Sequence, residues 1–266
     1  MSRTGLSFAL MLTAAAVLAQ TEGVADYKIS GESVNGTGRL YFSKVGYRVE
    51  WNMDVSRDAH RGARGGPREM KMTMFGKLSE PDVVYTVNDE TKSWSTWNTK
   101  QARDEASKSK PKYTVEKLGA DSVAGFACQN ARIKSSRGSV MEVCATKELA
   151  VPAGWLSAMN RQHGDDGSWI AAMREAGVEG FPIRWVTKGE GRTGTITMEM
   201  TKFEKKAVPA SSFEVPAGYQ KSDSLSVGMS PEQKKQMDEA LKNMTPEQRK
   251  QYEEMMKKYG QAPPKD

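Results

Sequence analysis

Cys128 and Cys144 are the two cysteines of the 266-residue chain, and their spacing suggests a covalent bond. The stretches on either side of the turn-like sequence 135–138 are rich in strand-forming residues. Folding this segment as a hairpin about Ser136 places the cysteines opposite each other, because both lie equally far from Ser136. We therefore predict a disulfide bond across neighbouring strands, since a redox pair more typically has the CxxC spacing.

Histidine, the usual ligand of catalytic zinc, occurs at two isolated positions. His60 lies in an arginine-rich segment, 57–68, which is typical of a solvated loop but could also contact lipid phosphates. His163 precedes Asp165 and Asp166, which could bind a metal ion or simply form a polar loop. The sequence has no nucleophile elbow and no phosphate-binding loop. We expect no catalytic residue, no metal site and no cofactor, and predict that the protein is not an enzyme.

Methionine is abundant, with 16 in the chain, and two groups alternate along predicted strands. Met70, Met72 and Met74 share one strand face, as do Met198 and Met200. Thioethers are ligands of copper(I), so a copper site is one interpretation. Half-buried strands have the same spacing, and flexible methionine suits a cavity wall that adapts to different apolar guests. We favour core or cavity lining.

The strands that would carry these residues follow from a period of two between Tyr27 and about Val215. Alternation of apolar and polar residues, as in 47–53, indicates antiparallel strands with one face in a core and the other in water. We count about eleven strands, separated by clusters of Gly, Asn and Asp. The predicted hairpin turns lie at 35–38, 88–90 and 188–191.

Helical patterns within this region are short and are confined to about 155–161 and 168–176. Many antiparallel strands with few helices predict an α+β protein. The net charge of +6 is modest and spread along the chain, without a dense basic helix. We therefore expect no nucleic-acid partner.

Residues 1–19 have the features of a secretory signal peptide. Arg3 supplies a positive charge, and the apolar run 6–18 is too short to span a membrane. Small residues precede a predicted cleavage point before Gln20. We expect an exported protein of the periplasm or outer envelope, where thiols can pair, with no transmembrane segment in the mature chain.

The composition changes after Tyr219. A polar linker, 220–229, leads to 230–266, where the helix start Ser230-Pro231-Glu232-Gln233 recurs as Thr245-Pro246-Glu247-Gln248. Each copy combines an N-cap hydroxyl, a proline and a glutamine into a capping box. Each predicted helix has a narrow apolar stripe that needs a cover, and the end of the chain is predicted to be loose. The stripe residues expected to bind a partner are Met237, Leu241, Tyr252, Met255, Met256 and Tyr259.

Five motifs together resemble the exported bacterial family called domain of unknown function 4412. They are GYRVEWNM at 46–53, the methionine strand 70–74, VAGFAC at 123–128, EVCATK at 142–147 and FEVPAGY at 213–219. This family is similar to the LolA-type lipoprotein-carrier architecture. The resemblance implies an antiparallel sheet curved into a half-barrel over 20–219, with helices on its concave side, and implies no catalytic residues.

A curved sheet with one apolar face leaves a concave apolar surface, which is the usual shape of a ligand site. We therefore predict a non-enzymatic envelope protein that binds a hydrophobic ligand, either a lipid or a lipoprotein. The predicted lining residues are Trp51, Met53, Met72, Met74, Trp185 and Met198. Alternatively, the C-terminal helices act as a chaperone-like module, because Met244–Gln248 is similar to the LTxxQ motif of periplasmic stress chaperones.

Overall fold

A computed structural model of the chain describes residues 21–56, 68–100, 111–150, 168–188, 194–222 and 231–258. The strands in these ranges are β1 (Gly23–Gly31), β2 (Val34–Phe42), β3 (Gly46–Val55), β4 (Arg68–Lys77), β5 (Val83–Asn88), β6 (Ser93–Asn98), β7 (Tyr113–Val123), β8 (Phe126–Ser135), β9 (Val140–Thr146), β10 (Phe181–Lys188), β11 (Thr195–Glu204) and β12 (Gln220–Lys221). They form one curved, open sheet in the order β12-β6-β5-β4-β3-β2-β1-β11-β10-β9-β8-β7. Neighbouring strands are antiparallel except β12 and β6. The predicted α+β half-barrel is confirmed.

Four helical segments accompany the sheet in the described ranges. They are α1 (Ser168–Glu175), a 3-10 helix (Ala210–Phe213), α2 (Pro231–Lys242) and α3 (Pro246–Lys258). Helix α1 confirms the prediction at 168–176, and α2 and α3 confirm the repeated helices. The helix predicted at 155–161 and the signal peptide at 1–19 lie outside the described residues.

The capping box of α3 closes as the sequence predicts. The backbone N–H of Thr245 donates to Oε1 of Gln248 at 3.0 Å, and the backbone N–H of Gln248 donates to Oγ1 of Thr245 at 3.3 Å. These bonds satisfy N–H groups that have no partner inside a helix. The first copy of the motif begins at Ser230, which lies outside the described residues.

The turn predicted at 35–38 is wrong, because these residues lie inside β2 and the chain turns at Glu32 and Ser33. A Cβ atom on Gly38 would overlap the indole of Trp51. Glycine within a strand can mark a close approach rather than a turn, and here it makes room for a tryptophan. The turn predicted at 88–90 is confirmed, since Oδ1 of Asn88 accepts the backbone N–H of Glu90. The turn at 188–191 lies mostly outside the described residues.

The predicted disulfide bond between Cys128 and Cys144 is present, with 5.4 Å between the Cα atoms. The hairpin register differs by two residues from the prediction, because Cys144 pairs with Asn130 rather than with Cys128. Strands β8 and β9 therefore turn about Arg137 instead of Ser136. The bond still forms because residues two apart share a strand face, which makes the cysteines diagonal neighbours.

Two apolar clusters involve segments that pack against the sheet from outside it. Helix α1 packs Trp169 and Met173 onto Ala131, Ile133 and Val143 of the disulfide-bearing hairpin. The chain that follows β11 returns across the other side of the sheet, where Phe213 is buried against Phe75 and Val87. Gln220 and Lys221, which the sequence analysis assigned to the linker, then pair with β6.

Candidate functional site

Directly paired residues place apolar side chains in two rows across the centre of the sheet. Residues opposite each other in antiparallel strands share a face, and so do residues two apart along a strand. The two rows therefore lie on one side of the sheet, which we call the apolar face. The first row is Met200, Tyr27, Gly38, Trp51 and Met72. The second row is Trp185, Met198, Ile29, Gly36, Met53 and Met70.

Of the six residues predicted to line a ligand site, Trp51 and Met74 belong to the main hydrophobic cluster of the sheet, and the other four pack against it. Trp51 and Met74 are buried, each with 7% of its surface exposed. Met53, Met72, Trp185 and Met198 are half-buried and pack against the cluster. The structure thus brings the six side chains together, and their contact with a ligand stays a prediction.

Tyr27 is a member of the cluster that the sequence analysis did not single out. It is the second residue of the first row, between Met200 and Gly38, and its ring centroid lies 6.0 Å from that of Trp185. The alternation of Tyr27 and Ile29 was the available signal, but it indicates burial and not a role. Tyr27 is 2% exposed, and its hydroxyl has no hydrogen-bond partner in the part of the chain that the structure describes.

Burial also favours the neutral form of this tyrosine. Desolvation raises the pKa of the Tyr27 hydroxyl far above its ordinary value of 10.0, because the charged phenolate would be removed from water. The hydroxyl is therefore neutral in the physiological pH range and can both donate and accept a hydrogen bond.

The opposite side of β1–β4, which we call the polar face, has two rows of polar residues. A groove of about 790 Å³ runs along it, lined by both rows together with Asp89, Thr201 and five residues that alternate with them on the same strands. The first polar row is Asp26, Arg39, Glu50 and Thr73. The second is Lys28, Thr37, Asn52 and Lys71.

Charges in and beside the groove are paired with one another. Nε of Arg39 lies 2.7 Å from Oδ1 of Asp26, and this hydrogen bond raises the pKa of the Arg39 guanidinium. Nε of Arg48 lies 2.7 Å from Oε1 of Glu50. The other carboxylate oxygen of Glu50, Oε2, accepts a hydrogen bond from the Tyr41 hydroxyl at 3.1 Å. Burial, followed by the charge of Glu50, raises the pKa of Tyr41. These pairs neutralise much of the charge that an ionic ligand could use.

A second ionic cluster lies close to the disulfide bond. Arg184 is opposite Cys144, and its Nη2 donates to Oδ2 of Asp121 at 2.6 Å and to Oδ1 of Asn130 at 2.9 Å. The hydrogen bond from Arg184 is the main reason that the pKa of Asp121 is lowered to about 2. Glu199 of β11 completes the cluster at 3.4 Å from Nη1 of Arg184. The cluster joins β7, β8, β10 and β11.

The C-terminal partner candidates are described in part. Leu241 of α2 and Tyr252 of α3 are half-buried. Met237, Met255 and Met256 lie within the two helices, but their side chains are outside what the structure describes, as is the whole of Tyr259. Both histidines, the arginine-rich segment up to residue 67 and the acidic pair Asp165 and Asp166 also lie outside the described residues.

Metal sites and membrane spans can be assessed over the same ranges. Among the described residues, no three side chains of His, Cys, Asp or Glu come together as a metal site would require. In the same part of the chain, no helix is both long enough and apolar enough to cross a membrane.

The fold and the two faces define an open antiparallel half-barrel whose central strands are apolar on one side and charged on the other. The chain belongs to the family described as Domain of unknown function (DUF4412), whose sequence model matches residues 21–219. The resemblance found in the sequence motifs is thereby confirmed. No match was found among curated proteins.

Several solved structures match this chain at low sequence identity. An uncharacterized conserved protein from Thermus thermophilus is 12% identical, with a TM-score of 0.42 over 76% of this chain and 90% of that chain. MucB is 10% identical, with a TM-score of 0.38, and the match spans 76% of this chain and 59% of MucB. The MucA/MucB complex of Pseudomonas aeruginosa is 10% identical, with a TM-score of 0.40 over 76% of this chain and 58% of that chain.

Proposed function

We propose that the protein is a non-enzymatic binding protein of the cell envelope that holds a hydrophobic ligand, a lipid or the acyl chains of a lipoprotein, against its apolar face. The observation that carries this proposal is the convergence of large apolar side chains that are only half-buried. They surround the buried Tyr27 and Trp51 on one side of the sheet. These half-buried side chains are Met53, Met72, Trp185 and Met198.

Binding is favoured when a ligand removes the remaining surface of half-buried apolar side chains from water, by about 25 cal/mol per Å² of apolar surface. Met53, Met72 and Met198 are unbranched and polarizable, so they can adjust to chains of different shape. Trp185 adds a rigid aromatic surface beside Tyr27. A sheet whose strands are fixed by continuous antiparallel pairing provides the stable support that a binding face needs.

The disulfide bond supports placement of the protein outside the cytoplasm. Bonds between cysteines persist in oxidising compartments such as the periplasm and are rare in the cytosol. Cys128 and Cys144 are joined and there is no free cysteine. Together with the signal peptide predicted at 1–19, this bond favours an exported protein.

A second candidate function is protein interaction through α2 and α3. The specific observation in its favour is the closed capping box at Thr245 and Gln248, which stabilises the start of a short, highly charged helix. Half-buried Leu241 and Tyr252 provide apolar contacts along the two helices. In this alternative the half-barrel supports the helices and the partner is an envelope protein.

Native mass spectrometry of the exported protein, isolated without detergent, tests the main proposal. We expect a population heavier than the processed polypeptide by the mass of a lipid, which organic extraction removes. The extracted protein should then bind a fluorescent acyl ester in proportion to protein concentration. A single unliganded mass together with no binding of the acyl ester would contradict the proposal.

A further inference from the structure

The Tyr27 hydroxyl is a polar group in an otherwise apolar setting. Tyr27 is 2% exposed, and within the described residues its oxygen neither donates nor accepts a hydrogen bond. A buried hydroxyl without a partner costs about 1–3 kcal/mol relative to one that is bonded. Most buried polar side chains in proteins have a partner, so an exception of this kind needs an explanation.

The neighbours of Tyr27 show what kind of partner would fit. Both apolar rows consist of aromatic, aliphatic, methionine and glycine residues, and neither contains a charged side chain. Most charges of the same strands alternate with these rows and lie on the polar face, where Asp26 is already bonded to Arg39, and Arg68 at the start of β4 lies outside both rows. A partner that meets the Tyr27 hydroxyl therefore meets no counter-charge among the described side chains of the two rows.

We propose that the Tyr27 hydroxyl donates a hydrogen bond to a neutral carbonyl oxygen of the bound ligand, so that the apolar face selects acyl esters or acyl amides. This inference rests on the proposed function and names its ligand class. A plain hydrocarbon would leave the hydroxyl unbonded. A free fatty acid would bring a carboxylate among the two rows, whose described side chains include no cation, and this is expensive. An alcohol would bring a second donor that needs an acceptor of its own.

The location of Tyr27 suits this role. It is the second residue of the first row, between Met200 of β11 and Gly38 of β2, where the indole of Trp51 covers the glycine, and its ring centroid lies 6.0 Å from that of the half-buried Trp185. An acyl chain lying across Met72, Met198 and Trp185 would thus have its hydrocarbon on apolar side chains and its carbonyl near the hydroxyl. Apolar lining with a single orienting polar group is the common arrangement of ligand pockets.

Displacement of a fluorescent acyl ester from the extracted, full-length exported protein tests the proposal. The competitors are methyl palmitate, palmitate and hexadecane, which share one chain length. We expect wild-type protein to prefer methyl palmitate over hexadecane. Tyr27→Phe should weaken methyl palmitate roughly five- to tenfold, as expected for a lost neutral hydrogen bond, and leave hexadecane unchanged. Equal binding of methyl palmitate by wild type and Tyr27→Phe would overturn the inference.

Tyr41→Phe is the matched control. It also removes a tyrosine hydroxyl, but from the adjacent strand β2, where this hydroxyl bonds to Glu50 on the polar face. We expect Tyr41→Phe to bind every competitor as wild type does. Without ligand, Tyr27→Phe should unfold at the same temperature as wild type or higher, because it removes an unbonded buried group. Tyr41→Phe should unfold at a lower temperature.

Infrared spectroscopy of carbonyl-labelled methyl palmitate gives a second readout that needs no variant. Bound to wild type, the labelled carbonyl should absorb at a lower frequency than in hexadecane, because it accepts a hydrogen bond. An unshifted band would overturn the inference while leaving hydrophobic binding intact. If wild type binds none of the competitors, both this inference and the proposed function fail.

Discussion

The indole of Trp51 lies across Gly38 of the neighbouring strand, in the space that any other residue at that position would fill with its side chain. Through this contact the largest side chain of β3 packs against the backbone of β2. It also makes Gly38 a packing residue although it has no side chain of its own.

Gly38→Ala should destabilise the protein by about 1–3 kcal/mol, because the added methyl group overlaps the indole of Trp51 and forces it to move. Urea unfolding measures this change. The control is Thr37→Ala, which alters the exposed neighbour on the polar face and should change stability by less than about 0.5 kcal/mol. Equal stability of Gly38→Ala and wild type would show that the contact is not tight.

Charged substitutions on the apolar face should abolish most ligand binding. Met72→Lys or Met198→Lys places a charge among apolar side chains, where it has no partner, and should weaken a fluorescent acyl ester by roughly tenfold or more. Lys71→Met is the control, since Lys71 lies on the opposite face of the same strand in an exposed pair with Glu69. Unchanged binding in both methionine variants, with the fold intact, would refute the assignment. Tight stoichiometric uptake of copper(I) by wild type would favour methionine ligation instead.

Removal of the disulfide bond should cost about 3 kcal/mol, the value expected for a loop of this length, because the unfolded chain regains freedom. The double variant Cys128→Ala, Cys144→Ala keeps the site apolar and can be compared with reduced wild type in urea unfolding. Mass spectrometry of non-reduced peptides from the exported protein should join the two cysteine peptides. Two free thiols in freshly isolated protein would contradict the assignment.

The bond between Asp121 and Arg184 should make stability depend on pH in the acid range. Because the pKa of Asp121 falls from 3.8 to about 2 on folding, the stabilisation is complete above pH 3.8 and is lost as the pH falls through about 2. Asp121→Asn removes this contribution. Unfolding curves should therefore show the largest difference between Asp121→Asn and wild type at neutral pH and a shrinking difference towards pH 2. A difference that is constant with pH would argue against the ion pair.

Shortening the chain after Ser224 tests the role of α2 and α3. We expect the disulfide-bearing sheet to remain folded with an unchanged unfolding midpoint, because its apolar clusters contain none of the helix side chains that the structure describes. Binding of an acyl ligand or of an envelope partner should change. If both thermal stability and binding equal those of the full chain, the helices serve only as a tether.

The sequence predicts the face of each side chain better than it predicts which residues are paired. A period of two assigned Trp51, Met72 and Met198 to the apolar side correctly, because alternation follows directly from strand geometry. The centre of the β8–β9 hairpin was wrong by one residue, since Ser136 and Arg137 are equally compatible with a turn. A shift of the turn centre by one residue changes the register by two and preserves the face, and so the disulfide bond was still predicted correctly.

Two features of the site could not be read from the sequence. The pairing of β1 with β11 joins residues far apart in the chain, and it is this pairing that puts Tyr27 beside Met200. The glycines at 36 and 38 looked like turn residues because the sequence does not show that Trp51 lies against them. Both features depend on neighbours in space that local patterns do not reveal.

The short strand β12 has a consequence for the edge of the sheet. The segment is attached to the sheet by backbone hydrogen bonds that include those from Gln220 N to the carbonyl of Lys92 at 2.9 Å and from Ser222 N to the carbonyl of Trp94 at 2.7 Å. A force that pulls on the C-terminal helices would act on β12 before it acts on any of the long antiparallel strands. Detachment of β12 would be a local event and would free the carbonyl groups of Lys92 and Trp94 at the edge of β6 for another strand. Strand β12 therefore covers the backbone edge of β6, where another β-strand could otherwise pair.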